Sequence, residues 1–163
     1  MAKEKTLDDL FLEVLKDTYH AEKQILRALP KMAKAAESKQ LRSAFETHRD
    51  ETEGQVERLE QVFEMIGKPA RAKTCPAIQG IIEEGKEVMS DFAETDALDA
   101  GLIAAAQAVE HYEIARYGTL RTWAEQLGMK NAVRLLEQTL REEKKTDELL
   151  TKLAEAAANE KAA

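Results

Sequence analysis

Seven side chains able to hold a cation recur near the middles of four long helical stretches. Glu22 lies in "YHAEKQIL", His48 and Glu51 in "THRDETEGQ", Glu110 and Glu113 in "VEHYEIARYGTL", and Glu143 and Asp147 in "LREEKKTD". Glu113 shares a helical stripe with Ala106, Val109, Tyr117 and Leu120, and Glu22 shares one with Leu15, Thr18, Ile25 and Leu29, in steps of three and four residues. A bare carboxylate on an inward seam is costly unless it is paired, protonated or bound to metal. If Glu22, Glu51, Glu113 and Glu143 meet at one level, they cannot all ionise in a dry core. Two divalent cations would balance their four negative charges.

Helix-bundle dinuclear sites usually take one Glu from each of two helices and Glu-x-x-His from the other two. This chain has no Glu-x-x-His. His48 stands three residues before Glu51, in reversed order; Asp147 follows Glu143 by four and is a candidate in place of a His; Glu110 precedes Glu113 by three and is a further candidate. A carboxylate-rich, imidazole-poor set favours iron or manganese over zinc. Tyr19 and Tyr117, one turn from the acids, are candidate donors to them. His20 and His111 precede their Glu by two and should point elsewhere. The competing reading of each acid is a solvated face, with Glu110 and Asp147 paired to Lys or Arg. Trp123, Met32, Met65 and Met129 read as packing residues.

Four long helices must position these groups. The first is expected from about Thr6 to Glu37, capped by Thr6, with Asp8 and Asp9 in its first turn and a kink or break at Pro30. Its apolar positions are Leu7, Leu10, Phe11, Val14, Leu15, Ile25, Leu26, Leu29 and Met32. After the turn "AESKQL", Ser38 caps a second helix to about Ile66, stopped by Gly67 and Pro69. A third long helix is expected from Asp96 to Leu127 and a fourth from Met129 to Ala157, with a shorter amphipathic helix from Pro76 to Met89. Glu22 to Glu51 and Glu113 to Glu143 are nearly equal spans, so the chain reads as a weakly repeated helical hairpin. Tight turns within each hairpin and a long connection between them predict an all-α, ferritin-like four-helix bundle. Residues 68–95 form the crossover with its short helix, and residues 1–163 form one domain with a core at about 6–157.

Composition narrows the function classes. The 24 basic and 31 acidic residues give a net charge of −7, and no basic stripe marks a nucleic-acid binder; "KPARAKTCP" reads as a solvated loop. No apolar run spans a membrane and the N-terminus lacks a secretion signal. The single Cys75 fits a reducing, cytoplasmic setting.

At these residues the chain resembles a known family. "LKDTYHAEKQILRALPKM", "AFETHRDETEGQVERLEQVFE", "LIAAAQAVEHYEIARYGTLRTWAEQLG" and "TLREEKKTDELL" are similar to the bacterial YciE/YciF stress-protein family, from about Thr6 to Leu153. The resemblance implies a ferritin-like fold, association with stress responses, a homodimer, and a dinuclear site at Glu22, Glu51, Glu113 and Glu143. Two functions compete. One is a protein with a dinuclear iron or manganese site that acts on peroxide or oxygen. The other is a structural or interaction dimer with a vestigial or empty site, Ile78, Ile81 and Ile82 of the crossover helix forming the dimer face. A hollow iron-storage cage is a weaker third class.

Overall fold

The computed structural model describes residues 3–163. Helix α1 spans Leu7–Ala35 and begins with a capping box. The Thr6 hydroxyl accepts from the Asp9 amide while the Asp9 carboxylate accepts from the Thr6 amide at 2.8 Å. No break occurs at Pro30, which lies inside α1. It sits on the exposed side, where water can serve the carbonyl that a missing N–H leaves free. Helix α2, Lys39–Met65, is capped by Ser38 and stops at Gly67, whose φ of +66° lets the chain reverse.

Cys75 caps the crossover helix α3, Pro76–Asp91, its Sγ accepting from the Ile78 amide at 3.4 Å. Pro76 occupies the first turn, where its missing N–H costs nothing. Helix α4 spans Leu98–Gln126 and α5 spans Lys130–Leu153, with Gly128 at φ +73° between them. The fourth long helix, α5, is expected from the sequence to reach Ala157 but is α-helical only to Leu153. It then widens into a π-helical turn at Ala154–Ala158 and ends in the short α6, Asn159–Ala162. The widened turn lays Ala154 and Ala158 against the core.

Helix α1 packs on α2 and α4, and α5 packs on α2 and α4, while α3 lies across α1 and α4. This is the expected ferritin-like bundle: two hairpins, a long crossover and one added helix. No strand occurs among the described residues, and no helix among them is long and apolar enough to cross a membrane. Asp99, at the start of α4, accepts from the Glu37 and Ser38 amides at 2.9 and 2.8 Å and so ties the α1–α2 turn to the second hairpin.

Two apolar layers fill the bundle. One gathers Ile25, Leu29, Phe45, Ile78, Leu102 and Leu150; the other gathers Phe11, Leu15, Phe63, Tyr117, Leu120 and Leu136. In sequence, every helix of the bundle carries buried polar residues where it passes from one layer to the other. They are Thr18 and Glu22 on α1, His48, Thr52 and Gln55 on α2, Glu110 and Glu113 on α4, and Thr139, Glu143 and Thr146 on α5. Leu10, among the apolar positions of α1, is instead 48% exposed. Ile78 is fully buried and Ile81 and Ile82 pack half-buried against the same layer. Ile78 therefore faces inward and is closed to a partner, while Ile81 and Ile82 keep part of their surface open.

Candidate metal centre

The polar belt closes on one point. His48 Nε2 lies 2.8 Å from Glu110 Oε1, 3.9 Å from Glu143 Oε2 and 4.0 Å from Glu113 Oε2. One donor atom from each of these four residues falls within 4.8 Å of the other three, and all four residues are buried. Three helices supply them: α2, α4 and α5. Helix α1 adds Glu22, fully buried, whose Oε1 accepts from the Tyr117 hydroxyl. Glu110 and Glu113 both reach the centre because three residues are nearly one helical turn.

The electrostatics are those of crowded acids in a medium that solvates them poorly. Burial pushes Glu22 up to about 7, although Glu113, Tyr117 and His48 pull the other way. Burial and then the Glu143, Glu22 and Glu110 charges hold Glu113 well above the usual carboxylate range. Glu143 is raised by burial first and by Glu110 second. Burial works to lower the His48 imidazole, but Glu110, Glu51 and Glu143 outweigh it and hold the ring well above its ordinary value. Burial and the Glu22 charge raise the Tyr117 phenol, so it stays a hydrogen-bond donor.

Many of these atoms are left without a hydrogen bond. Both oxygens of Glu113 and Glu143, Glu22 Oε2, Glu110 Oε2 and both nitrogens of His48 have none among the described residues. The 2.8 Å approach of His48 to Glu110 is thus an ion-pair contact without hydrogen-bond geometry. Each such group costs about 1–3 kcal/mol when buried. Hard oxygen donors with one imidazole are the set that iron or manganese accepts, so these residues fit a metal centre.

The remaining candidates sit apart. Glu51 stands at the edge, its side chain 28% exposed, 3.8 Å from His48 Nδ1 and accepting from the Thr146 hydroxyl at 3.4 Å. The adjacent imidazole holds its carboxyl below the usual range. With His48, Thr146, Lys145 and Lys152 it lines a cleft between α2 and α5 that touches the centre only at His48. Asp147 lies outside the cluster, accepting from Gln107 and contacting His111 at 3.1 Å. The sequence repeat aligns Glu51 with Glu143, but on α2 the deep position belongs to His48. Of the two candidate tyrosine donors, Tyr117 reaches Glu22, whereas Tyr19 donates to Glu60 at 2.8 Å. His111 is exposed, and the half-buried His20 accepts from the Cys75 amide at 3.1 Å.

Sequence reasoning overlooked the supporting frame. The Arg58 guanidinium binds Glu142 and donates to Thr139 at 2.6 Å, while Gln55 donates to Glu142 at 3.2 Å, joining α2 to α5 beside the centre. Thr18 and Thr52 donate back to the Val14 and His48 carbonyls and so need no other partner. The available signal was the threonines' place on the inward stripes.

Residues 6–163 match a family described as Domain of unknown function (DUF892). Protein YciF of Escherichia coli (strain K12) is 52% identical over 160 residues, covering 97% of this chain and 96% of that protein. The crystal structure of the E. coli stress protein YciF superposes with a TM-score of 0.89 at 51% identity, covering 93% of this chain and 96% of that one. YcfI from Rhodopseudomonas palustris, which carries a provisional structural-protein label, gives 0.88 at 48% identity, covering 90% and 94%. A Xanthomonas campestris protein at 23% identity, covering 92% and 91%, has a TM-score of 0.73 and shares the fold.

Proposed function

The chain belongs to the DUF892 family, and from its buried acid–imidazole cluster we propose that it is a metal-binding protein holding a dinuclear iron or manganese centre. The observation that carries this reading is the set of buried carboxylate oxygens on Glu22, Glu110, Glu113 and Glu143 with no hydrogen-bond partner among the described residues. Four such carboxylates match the charge of two divalent ions. His48 would add the nitrogen donor, and Glu51, at the edge beside His48, would be a further carboxylate for an ion entering from the α2–α5 cleft. Asp147 is engaged elsewhere and is left out of the proposed set. Iron or manganese in this position would supply electron transfer toward a small oxidant such as peroxide or oxygen. The chain's own part is to orient Glu22 through the Tyr117 hydroxyl and to shield the centre between two apolar layers.

Elemental analysis of protein purified without chelator tests the proposal. Wild type should carry metal that a Glu22→Ala, Glu113→Ala double variant lacks; equal content in both would refute it. The second reading is a structural protein whose cluster stays empty. It is favoured by the His48–Glu110 contact, which supplies part of the missing neutralisation internally. Under it, chelators leave Tm unchanged, whereas a bound metal raises Tm by mass action. We also propose a homodimer, and light scattering of the purified chain reads its mass directly.

A further inference from the structure

A second cavity reaches the centre from the opposite side. It lies beneath α3, has a volume of about 160 Å³, and ends on His48 and Glu110. Its walls are aliphatic: Leu29 and Met32 from α1, Ile82 and Met89 from α3, and Ala105 and Val109 from α4. Gly85 on α3 lies against Ala105 on α4, where an added Cβ would come into contact with the Ala105 methyl at 3.6 Å, so the two helices approach closely and wall the chamber with small groups. Neither helix sends a bulky group inward at that point.

The mouth has the opposite character. Its exposed charged residues are Arg27, Lys31 and Lys86, and no exposed acid lines it. This stands out in a chain of net charge −7. Lys86 contacts Glu83 at 3.1 Å, whereas Arg27 and Lys31 make no ion pair among the described residues. An apolar chamber under a cationic mouth complements a ligand with a hydrocarbon tail and an anionic head. An aliphatic cavity of about 150 Å³ accepts benzene, so this one has room for about six tail carbons. At the inner end the His48 cation is already matched by Glu110 at 2.8 Å, whereas Arg27 and Lys31 at the mouth have no acid of their own among the described residues, so the mouth is the better seat for a carboxylate head.

We propose that the chamber beneath α3 binds a medium-chain carboxylate, head at Arg27 and Lys31, tail directed at the His48–Glu110 end. This rests on the metal reading only for what the tail approaches; the binding itself does not need the metal. A ligand so placed would present its methyl end, not its head, to the centre.

Calorimetric titration with octanoate and with 1-octanol tests the assignment, on protein as purified and again after chelation. Ala28→Trp, on the α1 wall of the chamber, or Ala105→Phe if the former melts early, fills the chamber and should weaken both ligands at least about tenfold. Arg27→Glu with Lys31→Glu lies on the surface and should weaken octanoate about tenfold while leaving 1-octanol within about twofold. Octanoate that fails to bind wild type, or binds the filled variants undiminished, overturns the site. Equal losses for acid and alcohol on charge reversal overturn the head-group assignment. Metal content, measured on the same preparations, is read separately, so failure of this proposal and failure of the metal reading are distinguishable.

Discussion

Removing metal should make this protein lose stability as pH rises, opposite to the common acid-induced loss. Glu22 is fully buried, and its pKa rises from an ordinary 4.5 to about 7 in the folded chain. Between those values the folded state keeps the proton and the unfolded state does not, so unfolding releases a proton. The stabilisation is complete below about 4.5 and is lost as pH climbs through about 7. At ~1.4 kcal/mol per tenfold, the loss is about 3 kcal/mol from this one residue. For a chain of this size that lowers Tm by about 6–12 °C. Glu113 and Glu143 are displaced in the same direction, as is His48, so each adds to the fall. Glu51 is displaced the other way, but it is only half-buried and loses its contribution below the window. Circular dichroism melts in chelator at about pH 5 and about pH 8 measure the slope, and Glu22→Gln should flatten it. With metal saturating the site the slope should reverse, because the ligands must shed protons to bind. A chelated protein whose Tm is flat or rises over this range, or a Glu22→Gln variant with the wild-type slope, would refute the argument.

Three further outcomes follow from the same geometry. Glu113→Leu removes a buried carboxyl with no hydrogen-bond partner, so the chelated variant should be more stable than wild type by about 1–3 kcal/mol while its metal content falls; denaturant melts and elemental analysis read the two effects. Arg58→Ala breaks the half-buried bridge to Glu142 and Thr139 and should cost about 1–3 kcal/mol, most of it absent when Glu142 is already Ala. Phe63→Ala empties a fully buried position in the layer below the centre and should cost about 3–5 kcal/mol by urea denaturation.

The bundle was legible because its helices announce themselves. Thr6 and Ser38 cap, Gly67 and Gly128 stop, and the three-and-four spacing of apolar residues assigns the inner faces. Glu22, Glu113 and Glu143 were legible as seam acids for the same reason. The balance between His48 and Glu51 was not, because residues three apart share a face and only packing against α4 and α5 decides which goes deeper. Asp147 misled because a step of four suggests the same face, yet that step overshoots a full turn by about 40° and hands it to Gln107 and His111. Pro30 looked like a breaker because sequence does not tell which carbonyl faces water. Ile78 of α3 looked like spare surface because its covering partners on α1 and α4 are distant in the chain.

The clasp made by Asp99 also acts as a ruler. From Ala35, the last residue of α1 before the clasped turn, back to Glu22 is 13 residues, and from Asp99 forward to Glu113 is 14, or about 20 and 21 Å of helix. From Ser38 to His48 is 10 residues and from Asp99 to Glu110 is 11, about 15 and 16 Å. Fastening these rods at one end therefore meters both pairs of ligands to a common depth. One residue inserted between Asp99 and Glu110 would swing the acids beyond it by about 100° while leaving the clasp itself intact.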